Sequence, residues 1–227
     1  MSIELLERGA AALEELIDEV VFVGGATLPL WITDPAAPPV RPTKDVDVIV
    51  EVATRRDYYK FEKRLRALGF VNHDTVICRW IKDKPDLILD AMPTEAGILG
   101  FENRWQKRAF PTALARDLPS GARIRAASPP FLLATKLEAF KGRGREDLLA
   151  SHDFADIVSL FDGREELVSE LRGAPSDLRE YVGTEVSALL ERERLLAGIH
   201  AQLPPDAASQ ARAEATVLPR LREVVSI

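Results

Sequence analysis

DVDVIVEV (residues 45–52) alternates acids with valines and then turns apolar, the pattern of a β-strand with one face against a core. Successive side chains of a strand point to opposite faces, so Asp45 and Asp47 share one side while Val46, Val48 and Val50 share the other. Two neighbouring carboxylates in a partly desolvated place repel unless positive charge lies between them. A hard divalent cation such as Mg²⁺, which takes one or two carboxylates together with substrate phosphates and water, meets that need. The plainer alternative is a solvent-facing strand with two exposed acids.

Upstream, VVFV (20–23) is a second short strand, closed by Gly24-Gly25 and followed by ATLPLW (26–31), which reads as a helical turn. Strand, glycine turn and helix form a setting in which backbone N–H groups approach a phosphate, although a glycine pair also serves any tight turn. Between this turn and Asp45 lies TDPAAPPVRPTK (33–44); Pro35, Pro38, Pro39 and Pro42 forbid a regular element there. Residues 3–19 have helical spacing of apolar positions.

Downstream, Thr54 caps a helix running to about Leu68, with Gly69 as its stop. TVICRWIK (75–82) and DLILDAMP (86–93) form an antiparallel hairpin around Lys82–Pro85, with Asp90 the lone acid in the apolar run 87–93. Residues 98–126 hold a short helix and a further hairpin ending in GARIRAAS. After Ser128 every periodic stretch is helical, including a long one from about Ser176 to Leu203. The fold expected is α+β: a mixed sheet with flanking helices over residues 1–127, then a helical domain over 128–227.

Composition narrows the function classes. With 227 residues, 46% hydrophobic and 29% charged, the chain lies in the globular range. Its net charge of −6 argues against coating nucleic acid by bulk charge, and the excess acid is local: residues 151–227 hold 14 acids and 8 bases, whereas residues 1–150 balance at 22 and 22. One cysteine, Cys78, rules out an intramolecular disulfide and a set of zinc thiolates, and fits a reducing cytoplasm. The opening MSIELLERGAAALEELIDEV lacks the layout of a secretion signal, and no apolar run nears twenty residues, so no membrane partner is expected. Neither a Ser-His-Asp order nor a Walker loop occurs.

The ordered set of strand-Gly-Gly-helix, Asp-h-Asp and a third isolated strand Asp resembles the nucleotidyltransferase superfold related to DNA polymerase β. That resemblance implies Asp45, Asp47 and Asp90 as ligands of two Mg²⁺ ions, with Asp90 also a base, and Gly24, Gly25, Thr43 and Lys44 beside the nucleotide. The implied substrate is ATP or another NTP, since two cations clamping attacking and leaving oxygens suit in-line displacement at phosphorus. Nineteen residues separate Gly25 from Asp45, and the proline-rich loop supplies this long interval at little closure cost.

LLATKLEAFKGRGREDLLASHDFADIVSL (132–160) adds h-x-x-K-L-x-A at Lys136, a Gly/Arg turn at 142–145 and D-x-x-D at Asp153 and Asp156. With the preceding motifs it resembles the AbiEii/AbiGii toxin family of type IV toxin–antitoxin and phage-defence pairs, over residues 20–160. The family likeness implies Lys136 on nucleotide phosphates with Asp153 or Asp156 completing the active site, RNA (tRNA ends first) as acceptor, and an antitoxin as protein partner. From the residues alone, Lys136 beside the stripe Leu133, Leu137 and Phe140 is either a cleft-reaching ammonium or a solvated charge. Ser151 is a natural N-cap and Asp153 suits a helix first turn, while Asp156 shares the face of Asp153.

Arg143 and Arg145 fit either a phosphate grip or a solvated turn, and the basic helix 54–66 with Tyr58 and Tyr59 either a nucleic-acid face or an outer surface. His73, His152 and His200 show no ligand spacing, and Cys78 reads as a buried strand thiol. Two other functions remain open to the sequence: nucleotidylation of a small hydroxylated compound, as by aminoglycoside nucleotidyltransferases, and a non-catalytic nucleotide-binding module.

Overall fold

A computed structural model describes residues 2–83, 87–100, 103–142 and 147–227, so Arg143, Arg145 and the Lys84–Pro85 part of the hairpin turn lie outside the described residues. The chain divides into two compact units, residues 1–30 with 42–128, and residues 31–41 with 129–227.

The first unit is a seven-stranded sheet in the order β3-β4-β5-β2-β1-β7-β6. Its strands are β1 (Val20–Val23), β2 (Asp45–Val50), β3 (Val71–Asn72), β4 (Arg79–Lys82), β5 (Leu87–Pro93), β6 (Leu114–Asp117) and β7 (Arg123–Ala126). β2 runs parallel to β5, and β1 parallel to β7; the remaining neighbours are antiparallel. The mixed sheet agrees with the α+β expectation. A parallel β2/β5 pair demands a crossover, and α2 (Arg55–Ala67), capped by the Thr54 hydroxyl accepting from the Asp57 N–H at 3.2 Å, supplies it.

The apolar face of β2 and its neighbours is covered by helices. Gly9 of α1 (Ser2–Leu13) lies where an added Cβ would meet the Val46 side chain at 3.2 Å, and the guanidinium of Arg66 in α2 stacks 5.0 Å from the Trp80 ring. Val46 and Leu89 are register partners, as are Trp80 and Leu89, so these residues project to one side. The acids of β2 are thereby left on the other.

Two elements are shorter than their sequence patterns. The opening helix ends at Leu13, and Glu14 takes a positive φ of 47° before a 3₁₀ segment, Glu14–Glu19, that buries Leu16. In the stretch 75–82 only Arg79–Lys82 pairs as strand; Cys78 sits in the preceding turn, where its carbonyl accepts from the Ala91 N–H at 2.8 Å. β-Branched letters suggested a longer strand, but the backbone of residues 74–78 turns around the His73 ring nitrogen, which accepts from the Thr75 N–H at 3.2 Å. Burial pushes the Cys78 thiol up to about 11. Native protein at pH 8 is therefore expected to react with a disulfide reagent such as DTNB only after denaturation, and prompt native labelling would contradict that burial.

A short helix, α3 (Arg104–Ala109), also belongs to the first unit, and the second is built of α4 (Pro129–Gly142), α5 (His152–Gly163), α6 (Leu167–Arg172), α7 (Ser176–Leu190), α8 (Leu195–Gln202), α9 (Ala207–Arg212) and α10 (Leu218–Val225). The long helical pattern to Leu203 breaks between α7 and α8, where a turn closed by Leu195 N–H to Arg192 C=O at 3.0 Å buries Leu195 and Ile199. Residues 31–41 are not slack chain. Trp31 is fully buried, the Thr33 and Asp34 N–H groups donate to the Gly163 carbonyl at 2.9 and 3.0 Å, and Arg212 donates to Asp34 at 2.6 Å. Gly163 permits this contact, since a Cβ there would meet the Ile32 side chain at 2.7 Å. Among the described residues no helix is long and apolar enough to cross a membrane.

Candidate active site

Strand register assembles the first group of acids. Asp47 of β2 and Asp90 of β5 are direct register partners, and Asp45 follows two residues before Asp47, so all three carboxylates project from one face of adjoining strands. Asp47 is also the register partner of Val23, the last residue of β1, which brings the glycine turn to the same end of the sheet. Gly24 has φ +75°, and its Thr27 neighbour closes the turn by donating both N–H (3.2 Å) and hydroxyl (2.8 Å) to the Gly24 carbonyl. A methyl group on Gly24 would fall on the Asp47 carboxylate. Glycine is thus required twice, for its backbone angle and for the space Asp47 occupies.

Thr43 donates its hydroxyl to Asp45 Oδ1 at 2.9 Å, orienting that carboxylate. Gly25 opens the 3₁₀ segment after the turn and is buried, whereas Lys44 is exposed.

Arg79, a residue that sequence reasoning passed over, completes this group. Its Nε donates to Asp90 Oδ1 at 2.8 Å and its Nη2 to Asp90 Oδ2 at 2.7 Å, a two-pronged pair, while Nη2 also reaches Asp45 Oδ2 at 3.0 Å. Hydrogen bonding to Asp90 holds the guanidinium pKa above its usual value, against the opposing effect of burial. Arg79 and Asp90 are register partners across the β4/β5 hairpin. The hint was partial: an acid in an apolar strand calls for a cation, but the turn read at Lys82–Pro85 sets 79 opposite 88, and only the observed pairing of Lys82 with Leu87 brings Arg79 to Asp90.

The remaining expected residues form a second group, in the helical unit. Lys136 of α4 has 7% side-chain exposure, and its Nζ lies 2.5 Å from Asp156 Oδ2 and 3.3 Å from Asp153 Oδ1, both on α5. Asp156, with no exposed side chain, also accepts from Arg41 Nε at 2.9 Å and Nη2 at 3.1 Å. The Ser151 hydroxyl caps α5 by accepting from the Phe154 N–H at 3.3 Å. Arg41 is the second residue missed. Two acids on one buried helix face need more positive charge than one lysine provides, and the arginine bracketed by prolines in the irregular segment supplies it.

Among the described residues no set of three or more His, Cys, Asp or Glu side chains is gathered closely enough to hold a metal as it stands. The Asp45–Asp47–Asp90 face nevertheless has the character a hard cation requires. Its donors are all carboxylate oxygens, and it already recruits a guanidinium between two of them.

A sheet that presents Asp-h-Asp and a third strand acid beside a strand-Gly-Gly turn, followed by a helical unit, defines the chain as a nucleotidyltransferase-type protein. Comparison with curated proteins found no match. The profile of the family described as "Nucleotidyl transferase AbiEii toxin, Type IV TA system" matches residues 4–224, and the chain belongs to that family. The match extends past the 20–160 span carried by the motifs, so the C-terminal helices are part of the family unit as well.

Proposed function

We propose that this chain is a metal-dependent enzyme that transfers a nucleoside monophosphate from an NTP to a hydroxyl of RNA, with tRNA 3′ ends as the leading acceptor. The observation that carries the reading is the register pairing of Asp47 with Asp90, two residues along the strand from Asp45 and against the Gly24 turn. Asp45, Asp47 and Asp90 would hold Mg²⁺, which supplies charge neutralisation of the triphosphate and acidifies the attacking hydroxyl. The hydroxyl oxygen forms a bond to the α-phosphorus, and the bond to the departing pyrophosphate breaks with its electron pair. Asp90, or a water beside it, accepts the hydroxyl proton. Thr43 keeps Asp45 oriented through its 2.9 Å hydrogen bond, and Gly24 leaves room for Asp47.

Lys136 serves as a phosphate-binding cation, with Asp156 holding it at 2.5 Å and the longer 3.3 Å contact to Asp153 the one that yields to phosphate. Growth inhibition relieved by a cognate antitoxin protein is the biological outcome that the family's type IV description supports.

The test is incubation with labelled NTPs, Mg²⁺ and total tRNA, beside a panel of small hydroxylated compounds. Label is expected in tRNA with the native chain and at least about 1,000-fold less with Asp47→Ala, by the usual loss when charge stabilisation is removed from phosphoryl transfer. Equal labelling by both proteins would sink the site assignment. Label confined to the small compounds would sink the RNA acceptor.

A further inference from the structure

We propose that Arg79 is a built-in counterion that occupies the carboxylate face in the metal-free protein and competes with the divalent cation for it. This inference rests on the metal site proposed above and adds a residue to it.

Geometry supplies the reasons. The guanidinium bonds both oxygens of Asp90, at 2.8 and 2.7 Å, and one of Asp45, at 3.0 Å, so it engages two of the three carboxylates expected to bind metal. Planar, two-pronged pairing of this kind is the strongest form of arginine–carboxylate contact. Asp90 is largely buried, at 13% side-chain exposure, so its charge is poorly served by water and needs a partner at all times. Arg79 itself keeps 26% side-chain exposure, on a four-residue strand whose other neighbour, β3, is only two residues long. Solvent is therefore within reach of a guanidinium leaving the acids, and little structure need move.

A cation entering between Asp45 and Asp90 must take carboxylate oxygens that Arg79 now holds. The exchange keeps the acids neutralised in both states: by the guanidinium without metal, by the metal when loaded. It also makes metal affinity weaker than the carboxylates alone would give, since a positive charge remains nearby and must first be displaced. Arg79 acts through the ligands rather than on substrate and is a positioning residue.

The experiment measures Mn²⁺ binding by electron paramagnetic resonance on the full chain, with no nucleotide present. Native protein, Arg79→Gln, Arg79→Lys and each in combination with Asp47→Asn are compared, and folding is checked by circular dichroism. Arg79→Gln is expected to lower the Mn²⁺ Kd by about tenfold or more, because one opposing charge is gone. Arg79→Lys keeps the charge but loses the fork, and is expected to bind only about two- to threefold tighter, which preserves the test should the Gln variant fold poorly. Asp47→Asn should abolish the gain. Native and Arg79-substituted proteins binding Mn²⁺ equally, in a manner lost with Asp47→Asn, would overturn the counterion role and leave the metal site standing. Absence of any Asp47-dependent Mn²⁺ binding in all of them would overturn both.

Discussion

Asp156→Ala is expected to lower the stability of the helical unit by about 3–5 kcal/mol, the largest loss of any single substitution considered for this chain. Asp156 is fully buried and accepts from two cations, Lys136 at 2.5 Å and Arg41 at 2.9 Å. Alanine removes the charge and leaves both cations facing a void. Arg41, with 25% side-chain exposure, can turn toward water; Lys136, at 7%, has far less access to it and loses its shorter carboxylate contact while keeping the 3.3 Å one to Asp153. Weakening the pairing of a buried ammonium costs far more than losing a surface pair, whose worth is under about 1 kcal/mol. Urea denaturation followed by circular dichroism measures the loss, taken from the transition of the helical unit should the two units unfold separately. Lys136→Met combined with Asp156→Leu should recover part of it, because both buried charges then vanish together. A double variant as unstable as the sum of its parts would show that the pair is not coupled.

Gly24→Ala ranks second in stability and is severe for catalysis. An alanine held at φ +75° costs about 1–2 kcal/mol, and forcing its methyl against the Asp47 carboxylate adds about 1–3 kcal/mol. The cheapest relief is to shift the Asp47 side chain from its place between the glycine turn on β1 and Asp90 on β5, which spoils the carboxylate face. Nucleotidyl transfer should therefore fall at least about 100-fold even where the protein stays folded, as expected when a reacting group is misplaced by about 1 Å. Gly97→Ala is the control: a Cβ there has nothing within 4 Å, and stability should change by no more than about 0.5 kcal/mol. The two variants are compared by melting temperature and by label transfer to tRNA. Full activity in Gly24→Ala would show that Asp47 tolerates displacement and that the site lies elsewhere.

Much of the arrangement was legible in residues 20–52 and 87–93. The glycine turn, the paired acids and the isolated strand acid are local patterns, and the sheet places them together. Local pattern misled where a segment serves a distant contact. The proline-rich stretch looked like surplus length between motifs, yet Trp31, Thr33, Asp34 and Arg41 dock on the helical unit. Proline spacing announces irregular backbone but not what it packs against. Lys136 read equally well as a solvated charge because helical periodicity records only its own helix, whereas its burial is decided by α5 and Arg41.

The sequence by itself determined which carboxylates face the same way, because the two-residue period of a strand is set by covalent geometry and sterics at each position. It also carried the order of motifs that marks the family. Only the tertiary structure decided which cations meet those acids. Arg79 reaches Asp45 across 34 residues of chain and Arg41 reaches Asp156 across 115, and such partners are selected by hairpin register and by how separate elements close on one another. A buried charge requires a counterion, but it accepts any that the fold delivers to hydrogen-bonding distance.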